Sequence, residues 1–143
     1  MNTEMHRIST FALLCLMALP ALAQEALEPK YDISPSITKL PQQSDFFGVW
    51  LRSDGTYRVE IEPGAAAGSV VARYFNPDPI NVETASFDAV EGQPLLEFIL
   101  RDEGYPGSAY RLIFLPERRI LVGTYARPES EPAQVYFVKQ DEQ

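Results

Sequence analysis

Apolar and polar residues alternate along most of this chain from Phe46 onward. The stretch "TYRVEIE" sets Tyr57, Val59 and Ile61 on one side and Arg58, Glu60 and Glu62 on the other, the two-residue period of a half-buried strand. "LLEFILR" groups Leu96, Phe98 and Leu100 in the same way. "SAYRLIFL" groups Tyr110, Leu112 and Phe114, and "ILVGTYA" groups Leu121, Gly123 and Tyr125. "FFGVWLR", "GSVVARYF", "INVETASFDAV" and "QVYFVK" are rich in aromatic and β-branched residues, which suit a pleated surface. Together these segments make eight short strands at a spacing of roughly 8–12 residues, the pattern of a sandwich or barrel. Within "INVETASFDAV" the apolar parity shifts between Val82 and Ala85, which predicts a bulge or bend. The links are short and rich in Gly and Pro, so neighbouring strands are expected to be antiparallel, in a meander. The predicted fold is all-β: a small eight-stranded antiparallel up-and-down barrel spanning residues 46–143.

The inward set of such a barrel is bulky: Trp50, Tyr57, Phe87, Phe98, Tyr110, Phe114, Tyr125 and Phe137. An eight-stranded barrel has room inside for side chains or one small ligand. The lumen is therefore expected to be mostly filled, with a shallow site at the open end.

Two loops carry the candidate chemistry. In "RDEGYPGSAY" (residues 101–110), the link between strands is expected to run from Asp102 to Gly107. Pro106-Gly107 would take the central positions of a type II turn, and Gly104 would release the strand before it. That turn leaves Tyr105 at a loop tip beside Arg101 and two acids. In "YFNPDPINV" the two prolines after Asn76 fix a rigid connector. The candidate ligand-binding residues are Tyr74, Asn76, Arg101, Asp102, Tyr105 and Tyr110. Gly48, Trp50, Pro106 and Gly107 are expected to be structural.

The N-terminus changes the picture of where the chain works. Ile8 to Leu19 is an apolar run after a short basic n-region, and Ala21-Leu22-Ala23 is an A-x-A site. Residues 1–23 therefore read as a signal peptide cleaved after Ala23, for export to the periplasm or outside. The run is too short to span a bilayer, and no transmembrane segment is expected in the mature chain. Residues 24–45, with Pro29, Pro35 and Pro41, read as an extended arm.

Cleavage removes the only Cys, the only His and all three Met. No thiolate or imidazole remains for zinc, haem or Ser/His and Cys nucleophilic chemistry, so neither metal nor cofactor is expected. Glu4 and Arg7 leave together, so the net charge stays at −8, a poor match for nucleic acid. Paired carboxylates can hydrolyse glycosides without these residues. Asp102 and Glu103, however, are adjacent and on a strand would point to opposite faces. Asp88 and Glu97 are a second pair that a hairpin could bring together.

Gly48-Val49-Trp50 resembles the G-x-W that opens lipocalin and related calycin barrels. The resemblance implies a lipocalin-like barrel with the Trp at its closed end. The T-D-Y turn of that pattern is missing, and Lys139 is the only basic residue in the last strand, where the pattern has an arginine. "YFNPDPINV", "LRDEGYPGSAYRL" and "LVGTY" resemble a family of small exported bacterial proteins without an assigned activity, over most of Tyr74 to Lys139. That resemblance implies the fold and the envelope location, and carries over no catalytic residue. The expected function is non-enzymatic: binding of an unknown small molecule at the barrel mouth. The alternative is a periplasmic or secreted inhibitor or protein-interaction module acting on a basic partner enzyme, the partner then being an envelope protein.

Overall fold

A computed structural model describes residues 39–141. The signal-peptide reading, and the arm as far as residue 38, lie outside the described residues. The arm's last residues are not extended as expected. Gln43–Phe46 forms a 3-10 helix, and its first turn is tied by the Gln42 N–H donating to the Asp45 carboxylate at 2.7 Å. Phe46 is buried, so apolar burial pulls this end of the arm onto the barrel.

Nine strands follow: β1 (Gly48–Arg52), β2 (Arg58–Pro63), β3 (Val70–Phe75), β4 (Pro79–Ile80), β5 (Val82–Val90), β6 (Gln93–Asp102), β7 (Tyr105–Leu115), β8 (Ile120–Ala126) and β9 (Ala133–Lys139). They form one antiparallel sheet in the order β4-β3-β2-β1-β9-β8-β7-β6-β5. The pairing of β1 with β9 curls this meander into a nearly closed barrel. The ninth strand arises because one predicted strand divides. β4 pairs with β3, β5 pairs with β6, and only Asn81 separates them. At that seam the Arg101 N–H donates to the Asn81 carbonyl at 3.0 Å. The register shifts between Val82 and Thr84, where the apolar parity changes in the sequence.

The lumen is filled. Trp50, Phe98, Tyr110 and Phe137 of the expected inward set are fully buried, and Tyr57, Phe87, Phe114 and Tyr125 pack against them. Tyr74 and Phe46 join the core as well. The Trp50 Nε1–H donates to the Phe46 carbonyl at 2.7 Å. The Lys139 ammonium lies 5.2 Å from the Trp50 ring, a cation–π distance. Gly48 makes room for it: a Cβ there would stand 3.0 Å from Lys139 Cε.

The stretch 101–110 differs from its predicted form. Asp102 pairs with Tyr105, so the turn is Glu103-Gly104, and Gly104 supplies the positive φ of 78°. Pro106 and Gly107 belong to β7. Arg101 pairs with Pro106 and Leu100 with Ser108, which leaves Gly107 as the extra residue of a β-bulge, at φ 98°. A proline is tolerated at such a place because no ladder donor is needed there. The bulge lets Tyr105 and Ser108, three residues apart, both face inward. Tyr105 is therefore not an exposed loop tip but is half-buried against the core.

Candidate functional site

The connections β1–β2, β3–β4, β6–β7 and β8–β9 all lie at one end of the barrel, because the strands alternate up and down. Arg52, the last residue of β1, follows Trp50 on the inward face and brings a guanidinium to that end. Its side chain is only 11% exposed. Nε and Nη2 donate to the two Asp54 carboxylate oxygens at 2.5 and 3.0 Å. Nη1 donates to the Tyr110 hydroxyl at 2.8 Å. The guanidinium carbon stands 4.0 Å from the centre of the Tyr57 ring and 5.7 Å from that of Tyr125. Burial of the guanidinium favours loss of its proton. The bonds to Asp54 and Tyr110 outweigh that, and hold its pKa above the ordinary arginine value. Asp54 is held below the usual carboxylate range, chiefly by the Arg52 hydrogen bond.

Below the arginine, the Tyr110 and Tyr74 hydroxyls share a hydrogen bond of 2.8 Å. Burial pushes the Tyr110 hydroxyl up to about 12 and Tyr74 higher still. Both are neutral at physiological pH. At the rim, the Asn76 Nδ2 donates to the Tyr105 hydroxyl at 2.7 Å, and Tyr105 sits edge-on to Tyr74 with ring centres 6.2 Å apart. Asn76 is itself fixed by its N–H donating to the Asp78 carbonyl across Pro77 at 2.9 Å.

These groups surround a cavity of ≈ 360 Å³ lined by Arg52, Tyr57, Tyr74, Gly104, Tyr105, Tyr125 and Arg127. That volume is at the lower end of the range for small-molecule sites. A larger groove of ≈ 460 Å³ runs between the 3-10 helix and the β5–β6 turn. Its lining is amides, small residues and prolines with Asp88, and it holds no buried charge.

Of the six residues expected to bind, Tyr74 and Tyr105 line the mouth cavity. Asn76 and Tyr110 support it from behind. Arg101 and Asp102 do not join it. The Arg101 Nε donates to Glu83 at 2.7 Å on the outer face, because its neighbour Leu100 takes the inward position. The Asp102 carboxylate accepts the N–H groups of Asn81 and Glu103, each at 2.8 Å. Those bonds hold its pKa low and pin the barrel seam. Glu97, which the sequence allowed to meet Asp88, pairs with Arg111 instead, at 2.7 Å.

Sequence reasoning missed Arg52, Arg127 and the mouth role of Tyr57 and Tyr125. Arg52 was legible in principle. It lies two residues after Trp50, so strand alternation gives it the same inward face. A charged residue on the core face of a strand is a signal. No family model, no curated protein and no solved structure matches this chain.

Proposed function

We propose that this is an exported binding protein that holds a small ligand in the mouth cavity of its barrel. One observation carries the reading: a nearly buried guanidinium, fixed by Asp54 and Tyr110, borders an open cavity ringed by tyrosines. Burying a charged group costs free energy unless it is paired and hydrogen-bonded. A few fixed polar groups beside aromatic surface are the usual construction of a ligand site. The role is binding rather than catalysis. Tyr74 and Tyr110 keep their protons far above neutral pH, so neither serves as a general base there.

The test is a thermal-shift screen of envelope metabolites against the purified protein, which should begin at Gln24 by mass spectrometry. A ligand at about 100 times its dissociation constant adds about 2.7 kcal/mol to the folded state. The shift should vanish in Tyr125→Ala, whose ring borders the cavity. Shifts that survive both Tyr125→Ala and Tyr57→Ala would place the ligand elsewhere and contradict the reading. An uncleaved N-terminus on envelope-located protein would contradict cleavage after Ala23.

A further inference from the structure

We infer that the mouth is built for an organic monocarboxylate, with the carboxylate on Arg52 and Arg127 and the carbon body against Tyr105 and Tyr125. This rests on the reading that the mouth binds a ligand. The first ground is a count of donors. An arginine side chain carries five N–H groups. Three of those on Arg52 are taken, two by Asp54 and one by Tyr110, which leaves two without a partner among the described residues. Those three bonds and the Tyr57 ring, 4.0 Å from the guanidinium carbon, hold the group in place. The two remaining N–H groups, one on Nη1 and one on Nη2, are therefore held in place before any ligand arrives. A carboxylate, with two acceptor oxygens and a negative charge, suits two such guanidinium donors.

Charge gives the second ground. The chain carries −8, yet the cavity lining holds two arginines and no carboxylate. Asp54 balances one positive charge. One remains, enough for a single anionic group. The third ground is the shape and chemistry of the remaining wall. A bare inorganic anion would leave most of the ≈ 360 Å³ to water, while the Tyr105 and Tyr125 rings offer apolar surface that an organic body covers.

The experiment is titration calorimetry of the purified protein with four probes: 4-hydroxyphenylacetate, its neutral amide, octanoate and inorganic phosphate. At least one of the two carboxylates should bind, and the amide should bind at least ten-fold more weakly than 4-hydroxyphenylacetate or not at all. Arg52→Lys keeps a charge but loses the fork, and should weaken carboxylate binding at least ten-fold. Arg127→Gln, a rim change that leaves the core untouched, should weaken it less and reduce its dependence on salt. Equal binding of acid and amide, both lost in Tyr125→Ala, would overturn the anion inference while keeping the mouth reading. Carboxylate binding unchanged in Tyr125→Ala and in Arg127→Gln would overturn both. Phosphate binding as tightly as the carboxylates would overturn the organic body. Failure of both carboxylates to bind at millimolar concentration would overturn the inference outright.

Discussion

At the end of the barrel beside the 3-10 helix, Phe46, Phe87, Phe114 and Trp50 pack edge to face, with centres 5.1 to 6.2 Å apart. At the other end Tyr57, Tyr74, Tyr105, Tyr110 and Tyr125 pack on one another and on Phe98 and Phe137, at 4.7 to 6.4 Å. The two clusters do the same packing with different residues. The first holds a single polar atom, the Trp50 ring nitrogen, and satisfies it on the Phe46 carbonyl. The second carries hydroxyls, and one of them, on Tyr110, accepts a hydrogen bond from the guanidinium of Arg52. A phenyl ring and a phenol bury similar apolar area, so packing alone does not call for tyrosine. The Tyr110 hydroxyl, itself bonded to that of Tyr74, serves the charge that the second end keeps under cover.

If that division is correct, the largest stability effect belongs to the phenylalanine end. Trp50→Ala should cost about 3–5 kcal/mol, the range for deleting a buried large aromatic. Chemical denaturation measures it, and native tryptophan emission should be blue-shifted and move red on unfolding. A red native maximum would break the comparison at its first term.

The tyrosine end should respond less, and through hydrogen bonding. Tyr110→Phe keeps the ring but strips both Arg52 and Tyr74 of a partner. It should cost about 1–3 kcal/mol, the penalty for orphaned buried polar groups. The same tyrosine sets an alkaline limit. Its pKa rises on folding, from about 10 to about 12, so the folded state holds the proton longer than the unfolded one. Stability from this group is complete below pH ~10 and is lost as pH climbs from there toward ~12. Absorbance titration should show Tyr110 and Tyr74 ionising above the ordinary tyrosine value. In Tyr110→Phe the alkaline loss should be smaller.

The smallest effect should have the opposite sign. Ser108 is fully buried, and its hydroxyl has no partner among the described residues. Ser108→Ala should be neutral or stabilising by up to about 1 kcal/mol. A destabilisation beyond that would mean the hydroxyl belongs to the polar network of the mouth.

The fold was legible because period-2 alternation is a local signal. "TYRVEIE" and "LLEFILR" state their inward faces, and the parity change after Val82 states the bulge. The loop at 101–110 was legible only as a loop. Two Gly-containing pairs, Glu103-Gly104 and Pro106-Gly107, each suit a turn, and the register between β6 and β7 chooses the first. That choice turns Tyr105 inward and moves Arg101 out of the site. Arg52 was passed over because it ends a strand, where a charge usually meets water. Its partners Tyr110 and Asp54 come from different parts of the barrel, and nothing local in the sequence joins Arg52 to Tyr110, 58 residues away.

The central claim is that the tyrosine-lined end is the binding end. Its most direct test is an NMR chemical-shift map of the isotope-labelled protein titrated with 4-hydroxyphenylacetate. Perturbations should cluster on Arg52, Tyr57, Tyr105, Tyr125 and Arg127, with the Arg52 side-chain Nη–H groups among the largest, while Phe46, Phe87 and Phe114 stay fixed. Perturbations centred on the 3-10 helix and the β5–β6 turn, with the mouth unchanged, would contradict it.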